Sequence, residues 1–207
     1  ALGGAAKKTP DVRLQQTLDA LAQRDPSGTL GIAVLDLKSG AEARVNAGQA
    51  FPMMSVFKAP VAAAVLSRVD EGKLSLQQQV TLTRADVISG SAVPSIGAHF
   101  RGKRMMFTVK QLLKAAVSES DSTAADALVK IVGGPQVVTA FLRAHGIDGM
   151  RVDMGEAGVG RIFQDLGPRQ EIPANESAQA SFERHRRGFK AFLAAPTNRS
   201  TPDAAVV

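Results

Sequence analysis

Residues 30–37, LGIAVLDL, limit the fold more than any other stretch of this 207-residue chain. Apolar side chains fall on both alternating faces, the pattern of a strand covered on both sides. A central strand of that kind needs neighbours at both edges. Lys38-Ser39-Gly40 supplies a turn, and residues 41–45 can return as an antiparallel partner. No other strand is evident, and an isolated hairpin is marginal in water. The expected class is therefore α+β, with a sheet that lacks some of its strands.

The remainder reads as helices. Thr9-Pro10 is a start signal, a capping hydroxyl followed by proline at the first helical position. Leu14, Leu18 and Leu21 then form one stripe up to Arg24, and Asp25-Pro26-Ser27-Gly28 makes a turn. Further helices are expected over 59–69, over 109–117 behind Thr108, over 122–132 before Gly133-Gly134-Pro135, and over 135–145 before Gly146. Residues 155–170 read as a glycine-containing loop. Residues 175–194 read as an amphipathic helix that packs through Phe182, Phe189 and Phe192. Pro60 is harmless only in a first helical turn, which puts Ser55 at the very start of its helix.

Composition narrows the chemistry. The chain has no Cys, Trp or Tyr, so disulfides, a thiol nucleophile and cysteine-ligated metal sites are excluded. His99, His145 and His185 are far apart, and no dedicated metal site is expected. The longest apolar run, residues 59–66, is far short of the roughly 18 residues that span a bilayer, so no membrane association is expected. Residues 1–8 carry no hydrophobic core after their lysines, so they are not a signal peptide. The expectation is a cytoplasmic protein or a mature form whose signal has been removed. The formal charge of +6 is concentrated in residues 51–110, which hold 8 basic and 3 acidic side chains. Arg101, Lys103 and Arg104 lack interleaved aromatics, so they read as a solvated loop rather than a nucleic-acid surface.

The chemistry-bearing residues begin with Phe51-Pro-Met-Met-Ser55-Val-Phe-Lys58. At i and i+3 of a helix, Ser55 and Lys58 share a face, so an amine lies beside a hydroxyl that needs activation. Ser-x-x-Lys alone is weak, because chance supplies about one in a chain of this size. Sixty-five residues further comes Ser120-Asp121-Ser122-Thr-Ala-Ala-Asp126, and thirty-six after Ser120 comes Glu156, in Arg151-Val-Asp-Met-Gly-Glu156. Together with Gly133-Gly134-Pro135 and Phe141-Leu142, these residues resemble the class A serine β-lactamases of the penicillin-recognising enzymes.

The resemblance implies a β-lactamase/transpeptidase-like fold, in which an all-α domain stands against an antiparallel sheet with flanking helices. Residues 1–50 would give the N-terminal helix and first two strands of the α/β domain. Residues 51–207 would give the all-α domain, with the nucleophile helix and an extended carboxylate loop. The implied reaction is hydrolysis of the β-lactam amide of penicillins and cephalosporins through an acyl-enzyme on Ser55. Lys58, or Glu156 through a water, would be the base; Ser120 would relay a proton to the ring nitrogen, and Glu156 would activate water for deacylation. The backbone N–H of Ser55 would form half of an oxyanion hole, and Ser122 would bind substrate. No cofactor, metal or nucleic acid is implied. The expected setting is the bacterial periplasm or exterior, and the expected state a monomer.

Four departures from that pattern matter. Ser122 replaces an Asn whose amide helps hold the substrate side chain. Gly160 stands where the family often has an Asn that helps position the hydrolytic water. Met154 and Asn198 occupy the positions of an Arg–Asp ion pair that normally closes the carboxylate loop. That loop is also roughly thirty residues longer than usual, which could open the cleft to bulky cephalosporins.

No Lys-Thr-Gly or Lys-Ser-Gly triad occurs in these 207 residues. The triad would bind the substrate carboxylate and add a second oxyanion donor, whose loss typically costs about 100- to 1,000-fold. The chain is therefore expected to be truncated relative to the family and nearly inactive alone, unless a complementing chain or strand exchange supplies the missing strands. The alternative is a non-hydrolytic penicillin-binding fragment or pseudoenzyme.

Overall fold

The computed structural model describes residues 9–24, 26–88, 95–167 and 170–206. Residues 1–8 and Asp25, on which two of the expectations rest, lie outside the described residues. The elements begin with β1 (Thr9–Pro10), α1 (Val12–Ala22), β2 (Ile32–Leu35), β3 (Ala41–Val45) and β4 (Phe51–Pro52). A 3-10 turn (Ser55–Phe57) runs into α2 (Lys58–Asp70), followed by β5 (Gln79–Thr83), α3 (Ser95–His99) and β6 (Arg104–Thr108). Then come α4 (Val109–Ser118), α5 (Ser122–Val132), α6 (Pro135–Ala144), β7 (Met150–Arg151), α7 (Glu156–Phe163), α8 (Ala178–Ala194) and β8 (Arg199–Ser200). The class is α+β, as expected. The chain divides into two compact units, one of residues 1–51, 146–150 and 199–207, the other of residues 52–145 and 151–198.

In the first unit the sheet order is β1-β3-β2, so β3 is central and β2 lies at an edge among the described residues. The expected hairpin forms, with Ile32 opposite Val45 and Leu35 opposite Glu42. The expectation of a doubly covered strand over 30–37 is corrected. Its regular part is only Ile32–Leu35, and Leu30, Val34 and Leu37 are exposed. Apolar residues on both faces of a short segment do not by themselves show that both faces are covered. Thr9-Pro10 also differs from expectation. These residues pair in parallel with Ala41 and Glu42, and the Asp11 N–H continues the ladder to the Glu42 carbonyl at 2.9 Å. The helix starts two residues later, where the Asp11 carboxylate accepts from the Leu14 N–H at 3.0 Å. A proline after a hydroxyl suits a strand end as well as a helix start, and β3 selects the strand.

The second unit is built around α2, which packs against α4, α5 and α6. Phe57, Val61, Val65, Leu112, Leu128 and Val138 are buried there, each contributing about 1.5–3 kcal/mol of hydrophobic stabilisation. The helix ends follow local signals. Thr108 and Gln111 form a reciprocal capping box on α4, Asp121 caps α5, and Gly133 ends α5 with φ +108°. Pro60 sits in the first turn of α2, where its missing N–H removes nothing.

This unit is helix-dominated rather than all-helical. β5 and β6 form an antiparallel pair, with Gln79 opposite Thr108 and Thr83 opposite Arg104. Gln79-Val-Thr-Leu-Thr83 alternates exposed polar with covered apolar residues, a strand signal, whereas the exposed Met106 blurs the same alternation in residues 104–108. Arg104 therefore opens a strand rather than belonging to a solvated loop, and the Arg84 guanidinium lies over the Phe100 ring, 5.0 Å from its centroid.

Two further expectations change. Residues 156–163 form the helix α7, not a loop. The amphipathic helix expected over 175–194 is present as α8, but only Phe192 of its three phenylalanines is buried; Phe182 and Phe189 are 65% and 52% exposed.

Candidate active site

Ser55 opens the 3-10 turn that leads into α2, and Lys58 begins α2 itself, three residues on. The turn places both side chains on one face. Lys58 Nζ lies 3.1 Å from Ser55 Oγ. Its side chain is only 4% exposed, and a buried ammonium needs several acceptors.

Ser120 provides two of them. The chain has only three residues to turn from α4 into α5, and Asp121 fixes the geometry. Its N–H bonds to the Ala115 carbonyl at 2.9 Å, and its buried carboxylate accepts from Ala124 N–H at 2.7 Å and Ile96 N–H at 2.9 Å. Ser120 is thereby held at φ +55°, a left-handed conformation that a non-glycine residue adopts at a cost. In that conformation its carbonyl and its Oγ both face Lys58 Nζ, at 2.7 and 3.1 Å. Ser120 Oγ also donates to Ser55 Oγ at 2.8 Å.

Glu156 approaches from α7, and its Oε1 lies 2.9 Å from Lys58 Nζ. Asp126 on α5 determines that position. Its carboxylate accepts the Glu156 N–H at 2.5 Å and the Ala157 N–H at 2.9 Å, so a side chain thirty residues upstream caps α7. Gly155 is required at this join, since a Cβ there would collide with the Asp126 carboxylate. Burial pushes the Asp126 carboxyl above its ordinary value, and the neighbouring Glu156 adds to the rise. The two N–H bonds and Lys58 act in the opposite direction.

The base of the same segment is tied by Asn198, which is fully buried and left-handed at φ +47°. Its Oδ1 accepts from Asp153 N–H at 2.7 Å and Met154 N–H at 3.1 Å, and its Nδ2 donates to the Met154 carbonyl at 2.9 Å. The Asn198 N–H in turn reaches Asp153 Oδ2 at 2.8 Å. Neutral amide-to-backbone bonds thus close the segment where the sequence comparison expects an ion pair to be lost.

Ser55, Lys58, Ser120 and Glu156 therefore meet in direct contact, on the wall of a cleft of about 1100 Å³. Ser122, at the first position of α5, is buried and lines the same cleft. Gly160 also lines it, with open space where a side chain would stand. Four oxygens surround the three protons of a Lys58 ammonium, so proton exchange among them needs no rearrangement.

Sequence reasoning assigned no role to Asp126, Asn198 or Arg184. Asp126 had a signal, a carboxylate within a helix face otherwise made of buried Ala and Leu. Arg184 stands close to Arg186, Arg187 and Lys190 in the chain, yet it is 6% exposed and paired with Glu176.

A hydroxyl, an amine and a carboxylate in mutual contact stand on helices beside small antiparallel sheets, in a β-lactamase/transpeptidase-like fold. A family model described as the β-lactamase enzyme family matches residues 13–205. The extended-spectrum β-lactamase PER-1 of Pseudomonas aeruginosa is 38% identical over 129 residues, covering 62% of this chain and 42% of the relative. The β-lactamase L2 of Stenotrophomonas maltophilia is 37% identical over 155 residues, covering 74% of this chain and 50% of the relative. Among solved structures, an ancestral class A β-lactamase superposes with a TM-score of 0.68 at 33% identity, over 92% of this chain and 60% of that one. The chain belongs to the β-lactamase enzyme family, on the class A serine branch. It spans about half the length of these curated relatives.

Proposed function

We propose that this chain carries the acylating and deacylating residues of a serine β-lactamase acting on penicillins and cephalosporins. The observation that carries the reading is the contact of Lys58 Nζ with Ser55 Oγ, Ser120 Oγ and Glu156 Oε1, all within 2.9–3.1 Å.

Lys58 passes a proton to Glu156 and takes the Ser55 proton as Oγ attacks the β-lactam carbonyl. The Ser55 N–H, at the start of its turn, donates to the developing oxyanion. Ser120 protonates the ring nitrogen as the C–N bond breaks, and Lys58 reprotonates Ser120. Return of the Glu156 proton to Lys58 restores the carboxylate. Glu156 then takes a proton from water while the hydroxide adds to the Ser55 ester. Ser55 Oγ leaves with a proton from Lys58, and Glu156 returns its own proton to Lys58, which resets the site.

Ser122 offers its hydroxyl to the acyl side chain. Leu166 and Ile172, from the long segment after α7, extend the cleft wall and favour bulky cephalosporins over penicillins. The natural setting is the periplasm or exterior of a bacterium, in keeping with the bacterial relatives.

The test is intact-protein mass spectrometry with benzylpenicillin. The expected result is an adduct on Ser55 that forms slowly, about 100- to 1,000-fold below a site with both oxyanion donors, and disappears as the drug is hydrolysed, with no adduct on Ser55→Ala. No adduct on the unaltered protein overturns the reading. An adduct that persists supports a second one, penicillin binding without turnover, which Gly160 favours because it brings no side-chain amide to the cleft wall.

A further inference from the structure

The helix that delivers Glu156 has only eight residues, Glu156–Phe163. Helices that short do not persist without outside support. Its N-terminal end has that support in the Asp126 carboxylate. Its C-terminal end is held by α8, the amphipathic helix of the long segment that follows α7.

Arg184 of α8 is 6% exposed, and each edge of its guanidinium has a separate task. Nε and Nη2 fork onto the two oxygens of Glu176 at 2.8 and 2.7 Å. Nη1 donates to the carbonyl of Gln164, the residue that ends α7, at 2.8 Å, and to its side-chain Oε1 at 2.5 Å. A fixed positive charge thus sits at the negative end of α7, as a carboxylate sits at its positive end. Apolar packing supports the same join. Phe192 stacks on Phe163 with centroids 4.3 Å apart, and Gly188 lets the two backbones touch, since a Cβ there would strike the carbonyls of Ile162 and Phe163.

We infer that Arg184 is a positioning residue: by gripping the C-terminal end of α7 it sets where Glu156 meets Lys58, and so makes deacylation depend on α8. This rests on the function proposed above. Ser55, Lys58 and Ser120 stand on other segments. In acylation Glu156 only takes a proton across its contact with Lys58, whereas in deacylation it must also aim a water at the ester, so acylation is affected less.

The test uses Arg184→Gln and Arg184→Lys, with benzylpenicillin as the probe. Formation and decay of the Ser55 adduct are timed separately, and hydrogen–deuterium exchange is followed in residues 156–163. For Arg184→Gln, decay is expected to slow roughly ten- to hundredfold, because an ångström of misplacement is enough for that, while formation changes less than about threefold. Exchange in α7 rises while α4 and α5 keep their protection. Arg184→Lys, which keeps the charge but not the fork, recovers part of the decay rate. If Arg184→Gln does not fold, Glu176→Gln weakens the same grip and is expected to show the same split, smaller in size. Formation and decay falling together, or unchanged exchange in α7, overturns the inference. If the unaltered protein forms no adduct, the proposed function fails, and exchange in α7 still decides whether Arg184 holds that helix.

Discussion

Two arms meet at Lys58, and they are built in different ways. The serine arm comprises the Ser55 turn, α2 and the Ser120 turn into α5. Its ends are set by neighbours in sequence: Pro60 in a first turn, Thr108 with Gln111, Asp121 with Ala124, Gly133 at a C-terminus. The carboxylate arm comprises the tied segment 153–155, α7 and α8. It has local ties, such as the Ser177 cap of α8 and Arg161 to the Gly167 and Gln170 carbonyls, but its main fixings come from far along the chain: Asp126 to Glu156, Asn198 to Asp153 and Met154, Arg184 to Gln164. Ser55, placed mainly by local signals, is the more tolerant of change elsewhere; Glu156, placed by three distant side chains, is the less tolerant.

Severing the arms at their junction is expected to have the largest effect. Lys58→Met removes the amine that touches both hydroxyls and the carboxylate, and leaves Glu156 without its cation. The rate of Ser55 adduct formation should fall about 1,000-fold, within the range of a lost general base. Adduct formation within tenfold of the unaltered protein would show that the arms work independently.

Next in size is Asn198→Ala. It strands two N–H groups and a carbonyl in a buried place and puts alanine at φ +47°. The expected loss is about 3 kcal/mol of unfolding free energy, at roughly one per unmet group, read by urea denaturation. Asp126→Ala follows, with two N–H groups of the first turn of α7 unmet and an expected loss of about 2 kcal/mol. The comparison predicts that both variants slow adduct decay more than adduct formation. An equal effect on the two would make the carboxylate arm an ordinary part of the scaffold.

The same contrast explains what was legible in the sequence. The serine arm was readable almost to the residue, because Ser55, Lys58, Pro60, Thr108 and Gly133 each carry their instruction locally. Within the loop expected over 155–170, residues 156–163 are helical instead, because the cap of α7 is Asp126, thirty positions away, and no local pattern announces it. Residues 79–83 carry a period-two pattern that does mark a strand, while residues 104–108 lack a clear one because Met106 faces solvent. Phe182 was expected to pack and does not, since Arg184, Gly188 and Phe192 define the buried face of α8.

Two carboxylates that bear on the carboxylate arm, Asp126 on α5 and Glu176 ahead of α8, give a smaller effect that depends on pH, with opposite signs. The Asp126 carboxyl is held above its ordinary value by burial. Its folded form therefore binds a proton more readily than the unfolded chain, and its contribution to stability is lost as pH rises from about 4 through the raised value. The Glu176 carboxyl is held below its ordinary value by Arg184. Its contribution is present above the usual glutamate range and is lost as pH falls through the lowered value. Thermal unfolding from pH 3 to 7, compared among the unaltered protein, Asp126→Asn and Glu176→Gln, should show the first variant flattening a decline and the second flattening a rise.

Gly160 gives the smallest effect and the sharpest distinction. It lies one helical turn beyond Glu156 on α7 and faces the cleft, with nothing within 4 Å of an added Cβ. Gly160→Ala removes backbone freedom from a short helix without a clash, so it should stabilise by about 0.5–1 kcal/mol. Gly160→Asn adds an amide at i+4 from the carboxylate, on the same face, where it can share a water with Glu156. If decay of the Ser55 adduct is limited by an unsteady α7, alanine and asparagine should speed it alike. If it is limited by the placing of water, only asparagine should. The second outcome is expected, because Asp126 and Arg184 already hold the helix at both ends, and further rigidity has little left to correct.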